Sequence, residues 1–251
     1  MKIRTMFLSV ALLASVTANA KVTKEETYIF EISDGGTLSV SNVNGSITLT
    51  GGNYDEIEVL AIKSADSQKA LDKIEIKINQ SSDSVEIETD LSGSKRWFNF
   101  GGDDGQVTYE IKVPAGLELD AIETVNGSVE ISGVSGDVHA ESVNGNLELD
   151  DLAGDVQMET VNGSITASFA VLGGQQRVKG STVNGRMTLH LPSDADVDVS
   201  ADTLNGSIQA KDFDLEAEKG FVGSDLNGEI GSGSARLNLD TVNGSIKINR
   251  R

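Results

Sequence analysis

Between residues 125 and 167 the apolar positions recur in steps of four, two and three. They read Val125, Val129, Ile131, Val134, Val138, Ala140, Val143, Leu147, Leu149, Leu152, Val156, Met158, Val161, Ile165 and Ala167. Each nine-residue unit is therefore apolar-x-Gly-x-apolar-x-apolar-x-x. The pair of apolar residues two apart predicts a short β-strand with one buried face. The glycine marks a bend, where a positive φ is the expected demand. Two units make an 18-residue period, in which Asn-Gly corners such as Asn126-Gly127 alternate with Gly-Asp corners such as Gly136-Asp137.

The Asn-Gly corner returns along the chain, and regular recurrence at such a period is the mark of a stacked architecture. It occurs at Asn126, Asn144, Asn162, Asn184, Asn205, Asn227 and Asn243, with an early copy in Val43-Asn44-Gly45-Ser46-Ile47. Asn-Gly is also a strong hairpin signal. A hairpin at Asn126-Gly127, however, would mix apolar and polar residues on both faces. A β-solenoid stacks like on like: Val125 over Val143 over Val161 as a continuous apolar interior, and the seven asparagines as a structural ladder. The predicted fold is all-β, a β-solenoid with two short strands per coil; three units in a triangular coil is the less regular alternative. At about 4.8 Å per coil, residues 116–251 would make a rod roughly 30 Å long.

Residues 21–115 are β-rich without the period. Tyr28, Phe30 and Ile32 alternate, as do Ile74, Ile76 and Ile78, while Val107 to Val113 alternate up to Pro114. One or two helical turns are expected within residues 65–73. This region reads as an N-terminal cap continuous with the solenoid, one structural domain with it. Lys247, Asn249, Arg250 and Arg251 read as charge protecting an exposed terminal edge. Residues 171–177 and 191–194 read as inserted surface loops.

The first twenty residues carry Lys2 and Arg4, an apolar run from Met6 to Val16 and the small-residue triplet Ala18-Asn19-Ala20. That arrangement predicts a secretory signal peptide cleaved after Ala20. Cleavage removes Lys2 and Arg4 and takes the formal charge from −19 to −21. The expected protein is soluble, not membrane-spanning and extracytoplasmic. The periplasm is the first expectation; the cell surface or the medium is the second.

Composition removes several chemistries. With 39 acidic against 20 basic residues and no cysteine, the chain has neither the basic surface that nucleic acid needs nor thiols for disulfides, zinc or nucleophilic catalysis. No nucleophile elbow, phosphate loop or His-Glu-x-x-His motif is present. His139 and His190 stand far apart in sequence and read as surface residues.

The leader, the segment Val113-Pro114-Ala115-Gly116-Leu117 after an alternating strand, and the serial Asn-Gly-Ser-Ile units together resemble the bacterial "putative adhesin" domain family of unknown function. The resemblance spans nearly all of the chain after the leader. It implies an extracytoplasmic β-strand repeat, in some members linked to envelope stress, and it carries no catalytic residues.

Four features bear on function. Glu123, Glu141 and Glu159, with Asp202 and Asp240 in the same phase, form an acidic column. It reads as a solvated face; two stacked carboxylates could hold Ca²⁺, but Ser181 and Ser224 interrupt the phase. Residues 101–105, Gly-Gly-Asp-Asp-Gly, read as a tight connection. Arg96, Trp97, Phe98 and Phe100 are the aromatic cluster: a plug at the cap junction if buried, a glycan or peptide patch if exposed. The five Asn-Gly-Ser triplets match a glycosylation pattern but read as turn chemistry. A β-helix enzyme acting on polysaccharide would need singled-out carboxylates and several exposed aromatics, and here the carboxylates lie in repeat phase. The expectation is a non-enzymatic interaction scaffold of the cell envelope, without cofactor, whose partner is an envelope protein or glycan. A surface adhesin is the alternative, and a glycan-active enzyme a distant third.

Overall fold

The computed structural model describes residues 21–91, 105–220 and 222–251. The leader, the Ala20 cleavage point, the aromatic cluster Arg96–Phe100 and most of the glycine-aspartate loop lie outside these residues. The N-terminal part holds β1 (Val22–Glu31), β2 (Thr37–Asn44), β3 (Ile47–Gly52), β4 (Glu56–Ala65), β5 (Glu75–Gln80), β6 (Ser84–Asp90) and β7 (Gln106–Pro114). A single helical turn, α1 (Gln68–Leu71), follows β4, where the Ser67 hydroxyl accepts from the Ala70 amide. The repeats supply β8 (Glu118–Asn126), β9 (Val129–Ser132), β10 (Val138–Asn144), β11 (Leu147–Leu152), β12 (Val156–Asn162), β13 (Ile165–Phe169), β14 (Arg177–Asn184) and β15 (Met187–Leu191). The chain then adds β16 (Val197–Asn205), β17 (Ile208–Gln209), β18 (Glu218–Lys219), β19 (Ser224–Ile230), β20 (Ala235–Asn243) and β21 (Ile246–Arg250).

These strands form two sheets, of ten and eleven strands. In each coil one strand belongs to each sheet, and an Asn-Gly corner joins them. Within the rod the pairing is parallel: Leu147 faces Val129 and Ile165 in one sheet, and Val156 faces Val138 and Val178 in the other. Parallel stacking excludes the hairpin meander and gives the expected solenoid of two strands per coil. Residues 37–52 complete a coil of the same kind, so the region 21–115 contributes a coil as well as end strands. Among the described residues, antiparallel pairing appears only at the ends, as β1 on β4, β4 on β7, β5 on β6, β19 on β16 and β18 on β19.

The core lies between the sheets. Val129, Ile131, Leu147, Leu149, Ile165 and Ala167 from one sheet meet Val138, Ala140, Val156, Met158 and Val178 from the other, all buried. Val134, Leu152, Leu172 and Leu191 close the side opposite the Asn-Gly corners. Such an apolar, close-packed interior supplies the main stabilisation.

Four sequence expectations change in the structure. First, Val125, Val143 and Val161 do not point inward; each is about 40% exposed. The alternation that buries Val138 and Ala140 puts Ser142 next inside and Val143 outside. The inward column is Thr124, Ser142, Thr160, Thr182, Thr241 and Thr203, all buried. Their hydroxyls donate to the carbonyls of Gly45, Gly127, Gly145, Gly163, Gly185 and Gly244 respectively, at 2.9–3.4 Å. A buried hydroxyl is tolerated because it has this partner in the adjacent coil.

Second, the corner glycines are needed for space. Apart from Gly45, with φ of 117°, those of the ladder lie outside the left-handed region. A Cβ on Gly145, Gly163, Gly185 or Gly244 would overlap the carbonyl oxygen of the glycine in the adjacent coil.

Third, the C-terminal strands do not form the end of the rod. β20 lies between β14 and β16, and β21 between β15 and β17. The last coil in sequence is thus slotted inside the stack. Arg251 pairs with Asp151 at 2.8 Å, and Arg250 lies 5.2 Å over the Phe213 ring. These cations therefore tie the inserted coil to its neighbours and do not guard an edge.

Fourth, Asn227 stands outside the ladder. It sits on the antiparallel β19, opposite Ser200, whose hydroxyl donates to its side chain at 3.0 Å.

Candidate interaction face

Strand geometry builds the outer face of the eleven-stranded sheet. Because β10, β12, β14, β20 and β16 stack in register, every outward position becomes a column running along the rod. Three columns lie side by side next to the corner.

At the corner itself the asparagine side chains hydrogen-bond in series. Asn126 donates to Asn44, Asn144 to Asn126, Asn162 to Asn144, Asn184 to Asn162, Asn243 to Asn184 and Asn205 to Asn243, all at 2.9–3.0 Å. Each amide inside the series uses one N–H and one carbonyl lone pair along the ladder, which leaves its second N–H and second lone pair for other partners.

One position back lies the aliphatic column: Val125, Val143, Val161, Val183, Val242 and Leu204, between 39% and 51% exposed, with Val43 at the near end. An unbroken run of exposed aliphatic side chains along one face is unusual for a solvated surface. The repeat showed these valines but suggested the wrong side. The signal that would have placed them is the Ser or Thr before each one: counting in twos from Val138 or Val156 puts the hydroxyl residue inside.

Two positions further back lies the acidic column, Glu123, Glu141, Glu159, Ser181, Asp240 and Asp202. Glu141 accepts from His139 at 2.8 Å, and Glu159 from Gln157 at 3.0 Å and Lys179 at 3.2 Å. At the far end Asp225 of β19 joins opposite Asp202. Partial burial, then the charges of Asp240 and Asp225, push the Asp202 carboxyl above its ordinary range. The like charges add to the effect of burial. Among the described residues, no group of three or more His, Asp or Glu side chains is placed to hold a metal ion. No helix of these residues is long and apolar enough to cross a membrane.

The other sheet carries a shallow open groove of about 310 Å³, lined by Thr48, Glu130, Ser132, Glu148, Asp150, Thr166, Ser168 and His190, with Leu49, Ile131 and Leu149 at its floor. The Ser168 hydroxyl is bound to the Asp150 carboxylate and accepts from the Asp151 amide at 3.0 Å. Serine, aspartate and histidine thus share a surface. Yet the aspartate contacts the serine, where a nucleophilic triad needs the histidine in that place.

The family model for Toastrack DUF4097 matches residues 14–249. The chain belongs to that family. A solved structure of a "putative cell adhesion protein" from Clostridium sporogenes ATCC 15579 is 16% identical, with a TM-score of 0.56, over 91% of this chain and 100% of its own. A second, a "putative adhesin" from Bacteroides fragilis NCTC 9343, is 14% identical, with a TM-score of 0.43, over 90% of this chain and 97% of its own. No curated protein matches by sequence. At 16% identity the first likeness speaks for the fold alone.

Proposed function

We propose that this Toastrack protein is a non-enzymatic interaction scaffold of the bacterial cell envelope, and that it binds its partner through the outer face of the eleven-stranded sheet. The observation that carries this reading is the exposed aliphatic column between an acidic column and an amide ladder. A surface that costs solubility and repeats in every coil is explained by a partner that covers it. The leader-like residues 1–20 support an extracytoplasmic address. The name of the Clostridium sporogenes neighbour, a cell adhesion protein, agrees with a binding role. The serine–aspartate–histidine surface on the other sheet is read as polar packing, since the aspartate holds the serine hydroxyl in the wrong order for a triad.

Cell fractionation of the tagged protein, with protease added to intact cells, tests the address. Release with the periplasmic fraction and protection from protease support an envelope scaffold. Digestion on intact cells supports the surface adhesin instead, with the same face turned outward. Recovery in the cytoplasm overturns both. A photo-reactive residue at position 143, compared with one at Thr166 on the opposite sheet, tests the face. Adducts specific to position 143 are expected.

A further inference from the structure

We infer that the partner presents a cationic amphipathic α-helix laid along the aliphatic column; this rests on the scaffold reading and names its partner class. Three observations converge.

The first is pitch. Successive coils repeat about every 4.8 Å, and an α-helix advances about 5.4 Å per turn. The two spacings differ by about 0.6 Å, so apolar residues one turn apart stay within half a spacing of one aliphatic side chain per coil over about four coils. Seven such side chains, from Val43 to Leu204, span roughly 29 Å, the length of a helix of about 19 residues.

The second is charge. The column flanking the valines on the strand side is Glu123, Glu141 and Glu159, then Asp240 and Asp202 beyond Ser181. Lysines or arginines beside the helix's apolar stripe would meet these carboxylates, with Lys179, paired to Glu159 at 3.2 Å, as the local cation to be accommodated. The raised Asp202 carboxyl is relieved by an incoming cation.

The third is shape. Under the valines every strand from β2 to β16 is paired on both sides, so an extended peptide could add as a strand only at the outer strands β5 and β18, away from the column. A second copy of this chain would bring another acidic column against the first and is disfavoured by a formal charge of −19. The amide ladder on the other flank supplies neutral donors and acceptors for polar residues at the helix margin.

The test uses a labelled 20-residue peptide with leucine at helical i, i+3, i+4 spacing and lysine beside it, titrated by fluorescence anisotropy. The controls are a scrambled peptide of the same composition and a version with glutamate for lysine. The protein variants are Val143→Asp with Val161→Asp, and Glu123→Lys with Glu141→Lys and Glu159→Lys. All five positions lie on the outer face, and each variant's melting curve confirms that it is folded. The expected result has three parts. The scrambled peptide binds at least tenfold more weakly. The double aspartate variant loses at least tenfold in affinity. The lysine variant loses the lysine peptide and gains the glutamate one. Equal binding of the scrambled peptide, or no effect of Val143→Asp with Val161→Asp, overturns the inference, as does concentration-dependent dimerisation through the valines. Cross-links at position 143 without helix binding would overturn the helix and leave the scaffold. The absence of both would overturn both.

Discussion

The orientation of the repeat valines can be decided by three single substitutions. Val143 is 41% exposed, Val156 is 2% exposed, and Thr160 is buried with its hydroxyl 3.0 Å from the Gly145 carbonyl oxygen. Val143→Thr changes an outward methyl for a solvated hydroxyl and should shift stability by no more than about 0.5 kcal/mol. Val156→Thr carries a hydroxyl into the core without a built partner, at roughly 1–3 kcal/mol, and also loses a buried methyl worth about 0.8 kcal/mol. Thr160→Val keeps the shape but removes one buried hydrogen bond, a loss of about 1 kcal/mol. For a chain of this size each kcal/mol moves the melting temperature by about 2–4 °C. Thermal melts followed by circular dichroism should therefore rank Val156→Thr well below Thr160→Val, with Val143→Thr close to the parent. If Val143→Thr melts as low as Val156→Thr, the valine column is buried, and both the exposed stripe and the binding face built on it fail.

Other expected outcomes follow from the same geometry. Gly163→Ala places a Cβ against the Gly145 carbonyl oxygen and should cost about 3 kcal/mol, whereas Gly116→Ala meets nothing within 4 Å and should melt like the parent. Burial pushes the Glu26 carboxyl up, but hydrogen bonds from Lys24, Lys63 and Tyr28 outweigh it and hold the group at about 2. Because the folded pKa lies below the unfolded one, this stabilisation is present above about pH 4.5. It is lost as pH falls from there toward 2, and is on the order of 3 kcal/mol. The gap in melting temperature between parent and Glu26→Gln should close over that window; a gap independent of pH would refute the assignment. Excess EDTA should leave the melting temperature unchanged, since the acidic column reads as a solvated face. Truncation before Ala235 removes a coil from inside the stack and should give a protease-sensitive, associating product on size-exclusion chromatography, in place of a shorter rod.

Much of the fold is legible in the residues because parallel stacking repeats the sequence phase in space. Val129 over Leu147 over Ile165, and Asn126 over Asn144 over Asn162, follow from an 18-residue period with no knowledge of the sheets. What misled was reading every apolar position as inward. Val143 is apolar and outside, Ser142 is polar and inside, and only a hydrogen bond to another coil, Ser142 to Gly127 at 2.9 Å, explains the exchange. The bond itself is not visible in the residues, although the Ser or Thr before each valine marks the inward position. The position of Asn243 between Asn184 and Asn205 was hidden for a related reason. All Asn-Gly corners look alike, so the sequence lists the coils but does not order them. The candidate face depends on both points, which is why its carboxylates were visible in the residues and its hydrophobic stripe was not.

The slotted coil has a consequence for how the molecule is made. Residues 197–209 are synthesised before residues 235–250, which must come to lie between them and residues 178–191. Until the later segment arrives, β16 has no permanent neighbour on its β20 side. The ladder chemistry at Asn184 and Asn205 is the same, so β16 can dock directly on β14 in a self-consistent register. Any such docking would have to come apart before β20 and β21 could enter. The far end of the rod therefore cannot grow coil by coil from the ribosome outward. Its last coil enters by wedging between strands that precede it in the chain.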